Sequence, residues 1–187
     1  MKYTHTFVML TGFTMKATDM KYYAQYINNF LPKEININYI YPKPPVRKIT
    51  CYDGEKYNAW FDYINEMVEN ESEDIAADQL LEQCDRIHGI LDKEVKRYNG
   101  DYNKLFLLGY SQGACLALDA GLSYSKKIGG IIGFKGHINM DIDKHVKSKQ
   151  DIWVTHGKGD DTIGFEVAQE YYNKYIDMGY NITFIEQ

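Results

Sequence analysis

The 187-residue sequence is poor in the features that mark several protein classes, and each shortage excludes something. No apolar run approaches the ~20 residues that cross a bilayer, so no transmembrane helix is expected. Residues 1–10 carry one lysine and a short apolar run before Gly12, which reads as a first strand and not as a signal peptide. There are only three cysteines, Cys51, Cys84 and Cys115, widely spaced and odd in number. That argues against a disulfide or zinc framework and for reduced thiols in an intracellular, cytoplasmic protein. Basic residues are outnumbered, 21 Lys and Arg against 26 Asp and Glu, for a net charge of -5. No nucleic-acid partner is suggested, and the one basic cluster, Lys144, His145, Lys147 and Lys149, reads as solvated surface. Repeats, low-complexity tracts and internal boundaries are absent, and the length suits a single domain over residues 1–187.

What is present centres on residues 104–118. Leu105, Phe106, Leu107 and Leu108 make an apolar run long enough for one buried strand. Gly109, Tyr110, Ser111, Gln112 and Gly113 follow as G-x-S-x-G, and Ala114, Cys115, Leu116, Ala117 and Leu118 then read as a buried helix. Strand, tight turn and helix are the context of a nucleophile elbow. Side chains two positions either side of Ser111 would collide in such a turn, which gives Gly109 and Gly113 a physical role. The Ser111 hydroxyl would project from the top of the sheet, and the Gln112 N–H, at the helix start, would face a developing oxyanion. The plainer reading is a glycine-rich turn with Ser111 as a helix cap.

Around this centre strands and helices alternate. Residues 6–10 read as a strand ending at Thr11, Gly12 and Phe13. Residues 20–31 read as a helix capped by Asp19, with Tyr23, Tyr26, Ile27 and Phe30 on its apolar side. The alternation over residues 35–41 predicts a strand. Pro42, Pro44 and Pro45 then open a long loop carrying Trp60, Phe61 and Asp62. Exposed aromatics on such a loop serve either as a lid or pocket wall or as an anchor, and Trp60 and Phe61 are the candidate pocket residues. Ser72 caps a long helix in which Ile75, Leu80, Cys84, Ile87, Leu91 and Val95 keep the helical period, ended by Asn99 and Gly100. His88, beside that stripe, reads as a satisfied half-buried histidine. Further strands are expected over residues 128–134, 152–155 and 181–186, with a helix over residues 164–178. The pattern implies a mostly parallel sheet with helices on both faces. Its functional loops then lie at the carboxyl ends of the strands: residues 11–13, 109–113 and 156–161. Residues 11–14 are too poor in glycine for a phosphate-binding loop of the flavodoxin-like kind.

In four segments the sequence resembles the phospholipase/carboxylesterase family of α/β-hydrolases, which includes acyl-protein thioesterases and lysophospholipases. Thr11, Gly12 and Phe13 stand where the family has His-Gly-Leu. Pro45, Val46, Arg47 and Thr50, followed by Trp60, Phe61 and Asp62, match a Pro-Val-Arg, Thr, Trp-Phe-Asp stretch. Residues 109–113 match Gly-Phe-Ser-Gln-Gly, and His156, Gly157, Asp160 and Ile163 match His-Gly-x-x-Asp-x-x-Val. The resemblance implies an α/β-hydrolase fold and a serine hydrolase of acyl esters or thioesters, needing no cofactor and no metal. Its substrates would be small-molecule or lipid-acyl compounds, including acylated proteins. Ser111 would be the nucleophile and Asp160 the triad acid, with Asp161 as the alternative. The backbone N–H groups of Phe13 and Gln112 would form the oxyanion hole, and His156 would shape the acid's loop.

One element of the family pattern is missing. The triad order is serine, acid, histidine, yet His5, His88, His137, His145 and His156 all precede Asp160. The sequence reads as lacking the C-terminal segment that carries the base. The alternative is an inactive α/β-hydrolase-fold protein that binds acyl chains or a protein partner. His137, after the strand ending at Phe134, is the remaining histidine that could approach from a neighbouring strand.

Overall fold

The computed structural model describes residues 2–65, 74–139, 146–160 and 163–187. Six strands form one parallel sheet: β1 (His5–Leu10), β2 (Ile37–Ile40), β5 (Leu105–Tyr110), β6 (Gly130–Phe134), β7 (Asp151–His156) and β8 (Asn181–Glu186), in the order β2-β1-β5-β6-β7-β8. Four α-helices are described: α1 (Met20–Asn28), α2 (Ala77–Glu94), α3 (Gln112–Ser123) and α4 (Phe165–Asp177).

Alternation along the strands splits the core in two. Val8 and Leu10 of β1, Leu105 and Leu107 of β5, and Ile131, Ile152, Val154 and Ile182 pack with α2, α3 and α4 in the larger cluster. Met9 and Leu108 face the other way and meet Met20 and Ala24 of α1. The central strand β5 is buried on both faces, which is why its sequence runs apolar without alternation.

The helix period of α2 is met inside the protein, with Leu80, Cys84, Ile87 and Leu91 buried. The helix begins at Ala77 with Ala76 at its N-cap, so the expected cap Ser72 does not start it. Ser72 lies outside the described residues, as do Lys144 and His145 of the basic cluster and the alternative acid Asp161.

Several expectations are corrected. Tyr26 on α1 and Phe30, just past its end at Asn28, are not core residues but stand 60% and 70% exposed. Met20 and Ala24 are the buried pair. Asp19 does not cap α1; its carboxylate accepts from the Lys16 N–H at 2.8 Å, closing the preceding 3-10 turn. The long loop after Pro45 contains an antiparallel hairpin, β3 (Val46–Ile49) and β4 (Glu55–Asn58). Its turn uses Asp53 at φ 52 and Gly54 at φ 75, so the pair Asp53-Gly54 was the available signal. Helical cover is also uneven. α1 packs over Met9 and Leu108, whereas on that same face Trp153 and Ile185 remain 41% and 52% exposed.

Candidate active site

β5 ends at Tyr110 and α3 begins at Gln112, leaving Ser111 alone at the junction with φ 52 and ψ −124. A β-substituted residue is strained there, and local bonds hold it. The Ser111 N–H donates to the Phe134 carbonyl at 2.8 Å, and the Ser111 carbonyl accepts from the N–H groups of Ala114 at 2.7 Å and Cys115 at 3.1 Å. The flanking glycines answer to sterics. A Cβ on Gly109 would lie 2.1 Å from the Gly113 carbonyl oxygen, and one on Gly113 would lie 2.3 Å from that of Thr11. These are backbone atoms that cannot swing aside, so the elbow closes only with glycine at both positions.

The loop after β1 runs beside the elbow. A Cβ on Gly12 would stand 3.3 Å from the Ser111 Cβ. Phe13 is half-buried, its ring stacked on Tyr52 at 5.7 Å and packed against Tyr57 and Tyr63, each at 5.4 Å. Thr14, at φ 66, donates its N–H to the Asn58 carbonyl at 2.9 Å. The β3–β4 hairpin therefore clamps the loop that presents the Phe13 N–H. Gln112 is the first residue of α3, and the first N–H groups of a helix have no partner inside it and carry its positive dipole end.

Trp60 and Phe61 are corrected from pocket wall to anchor. They are 0% and 1% exposed. The Trp60 indole N–H donates to the Thr11 carbonyl at 2.8 Å. The Gln112 side chain accepts from the Trp60 N–H and donates to the Phe61 carbonyl, each at 2.8 Å. Asp62 continues the pattern, its carboxylate accepting from the N–H of Thr50 at 2.7 Å and the hydroxyl of Thr50 at 2.6 Å. The Trp-Phe-Asp stretch thus ties the hairpin, the β1 loop and the elbow helix together. The role of Gln112's side chain was not legible beforehand, because its partners lie 52 and 51 positions away.

Asp160 follows β7, and its carboxylate is 5% exposed. It accepts from the Ile163 N–H at 3.2 Å and faces the Lys135 ammonium, also at 3.2 Å. His156 is the last residue of β7, fully buried. Its Nε2 donates to the Ile163 carbonyl at 2.8 Å and stands 3.7 Å from the Asp160 carboxylate, so it shapes this loop. Ser111 and Asp160 line one cleft, together with Tyr110, Lys135 and Ile163.

His137 is not brought to that cleft. It is 3% exposed, its ring is stacked on Tyr171 at 5.4 Å, and burial pushes its pKa down to about 4. His88 is half-buried and donates to the Ala120 carbonyl at 2.7 Å. Among the described residues no group of three or more His, Cys, Asp or Glu side chains could hold a metal ion. No disulfide joins the three cysteines, and no described helix is long and apolar enough to cross a membrane.

The family model described as phospholipase/carboxylesterase matches residues 6–186. The chain belongs to this family. Its relatives include carboxylesterase SOBER1 of Arabidopsis thaliana, 29% identical over 140 residues, covering 72% of this chain and 60% of that protein. Acyl-protein thioesterase 1 of Schizosaccharomyces pombe is 28% identical over 138 residues, covering 74% and 58%. The chain spans between half and two thirds of the length of the curated plant carboxylesterases that it matches. The crystal structure of Arabidopsis thaliana SOBER1 superposes with a TM-score of 0.86 at 24% identity, over 97% of this chain and 87% of the other. That of Zea mays acyl-protein thioesterase 2 does so with a TM-score of 0.78 at 18% identity, over 100% and 85%. The fold of this phospholipase/carboxylesterase family member is the α/β-hydrolase fold.

Proposed function

We propose that the protein is a serine hydrolase of acyl esters or thioesters, with Ser111 as nucleophile and Asp160 as the acid of its triad. The observation that carries this reading is the backbone of Ser111, strained at the junction of a core strand and a core helix, in a cleft shared with a buried carboxylate. Ser111 attacks the acyl carbonyl, the N–H groups of Phe13 and Gln112 stabilise the oxyanion, and water releases the acid from the acyl-enzyme. Small-molecule and lipid-acyl substrates, acylated proteins among them, fit the names of the relatives. Three cysteines without a disulfide among them fit a reducing cytoplasm.

The serine proton needs an acceptor, and no imidazole is among the described residues lining the cleft. Nucleophile and base act as a unit, and loss of either costs about 10⁶ in turnover. The 187-residue chain by itself should therefore react slowly with a fluorophosphonate probe, and Ser111→Ala should abolish what labelling there is. Rapid Ser111-dependent labelling would mean that a group other than a triad histidine serves as base. No Ser111 labelling at all, with retention of fatty-acyl ligand by the folded chain, would favour the second reading, an acyl-binding protein without catalysis.

A further inference from the structure

We propose that Lys135 is a positioning residue of this site: its ammonium holds the Asp160 carboxylate ionised and fixed in orientation beside Ser111. The inference rests on Asp160 being the acid of the proposed reaction.

The first support is the backbone. Lys135 follows β6 with φ 56, a conformation that suits glycine or asparagine and strains a lysine. The turn is nonetheless locked. The Lys135 N–H donates to the Thr155 carbonyl at 2.9 Å, while the preceding carbonyl, that of Phe134, accepts from Ser111. Next along, a Cβ on Gly136 would lie 2.6 Å from the Ala114 Cβ, and the Gly136 carbonyl accepts from the Tyr172 hydroxyl. Elbow helix, β7 and α4 together hold a lysine in a conformation that its own sequence disfavours. These bonds fix the backbone from which the Lys135 side chain extends.

The second support is the ion pair. Lys135 Nζ lies 3.2 Å from Asp160 Oδ2, with the lysine 45% and the carboxylate 5% exposed. A carboxylate withdrawn from water stays ionised only with hydrogen bonds and a countercharge. The Ile163 N–H supplies a bond to Oδ1. His156 stands 3.7 Å away, but its Nε2 proton is directed to the Ile163 carbonyl at 2.8 Å. The lysine therefore brings the countercharge and occupies one oxygen.

The third support is position. Lys135 lines the Ser111 cleft with Tyr110, Asp160 and Ile163, and its charge is felt by Tyr23 on α1. Among the described residues, Lys135 from the β6 turn lies 3.2 Å and His156 from β7 lies 3.7 Å from the Asp160 carboxylate, and Tyr110 of β5 lines the same cleft; Asp161, adjacent in sequence, lies outside the described residues. A base docking on Asp160 meets an anion already ionised and unable to rotate, which is what the acid of a triad must offer.

The test is a pH titration of ¹³C-labelled aspartate carboxyl groups by NMR, with the Asp160 resonance assigned by Asp160→Asn. In Lys135→Met the Asp160 midpoint should rise by about one pH unit or more, making it a tenfold weaker acid, and Lys135→Arg should return it towards wild type. Lys135→Gly separates charge from strain: it should melt no lower than wild type and still show the raised midpoint. A midpoint that stays put in both Lys135→Met and Lys135→Gly overturns the proposal. In a chain that also carries a triad histidine, unchanged fluorophosphonate labelling on Asp160→Asn would instead refute the acid assignment, a failure distinguishable from loss of the lysine's effect on the Asp160 midpoint.

Discussion

Gln112→Ala should cost this protein far more stability than a polar-to-alanine change at the start of a helix ordinarily does. The side chain is fully buried and bridges two backbone groups, the Trp60 N–H and the Phe61 carbonyl, with 2.8 Å bonds on each side. Truncation leaves both groups in the core with no partner, and each stranded group costs about 1–3 kcal/mol. The expected loss is about 2–5 kcal/mol, the upper part including the void left by the amide. At roughly 3 °C per kcal/mol for a chain of this size, the melting temperature should fall by about 10 °C. Urea unfolding followed by circular dichroism at neutral pH measures the loss directly. Gln112→Met is the control: it fills the space without bonding, so it should lose nearly as much as alanine if stranded groups are the cause. A loss below about 1 kcal/mol in both variants would mean that Trp60 and Phe61 find other partners, and would refute the clamp.

Two further outcomes are expected. Ser111→Gly removes the nucleophile and also the strained β-substituent at φ 52, so calorimetry should show a gain of about 1 kcal/mol alongside complete loss of labelling; Ser111→Ala should lose labelling without that gain. His137 is neutral in the folded protein down to about pH 4, whereas its unfolded counterpart protonates near 6.5. The unfolded state thus binds more protons between these values, so stability is full above pH 6.5 and falls by about 3 kcal/mol as the pH drops towards 4. His137→Phe should flatten that part of the stability profile measured by urea titration, and an identical slope in wild type and variant would count against a buried neutral histidine.

The elbow was readable because its constraints are local. An apolar run, two glycines bracketing a serine and an apolar helix lie within fifteen residues; the clash that requires Gly109 acts within that segment, whereas the one that requires Gly113 comes from the Leu10 and Thr11 backbone of the β1 loop. The helix period of α2 was readable for the same reason. Tyr26 and Phe30 misled because an aromatic side chain looks like core from its polarity, although α1 turns Tyr26 outward and buries Met20 and Ala24, and the helix ends before the exposed Phe30. The hairpin at residues 46–58 was masked by the prolines before it, despite its Asp53-Gly54 turn.

By itself the sequence determined the alternation of strands and helices, the parallel sheet, and the placing of a strained serine where β5 meets α3. These follow from side-chain periodicity and from steric limits on neighbouring residues. Only the tertiary structure decided that Trp60 and Phe61 are anchors, that Gln112 clamps them, and that Lys135 faces Asp160. Those partners lie tens of residues apart and meet only because the strand order sets β1, β5, β6 and β7 side by side. No local pattern encodes such a meeting; it is created when the sheet assembles and water is excluded.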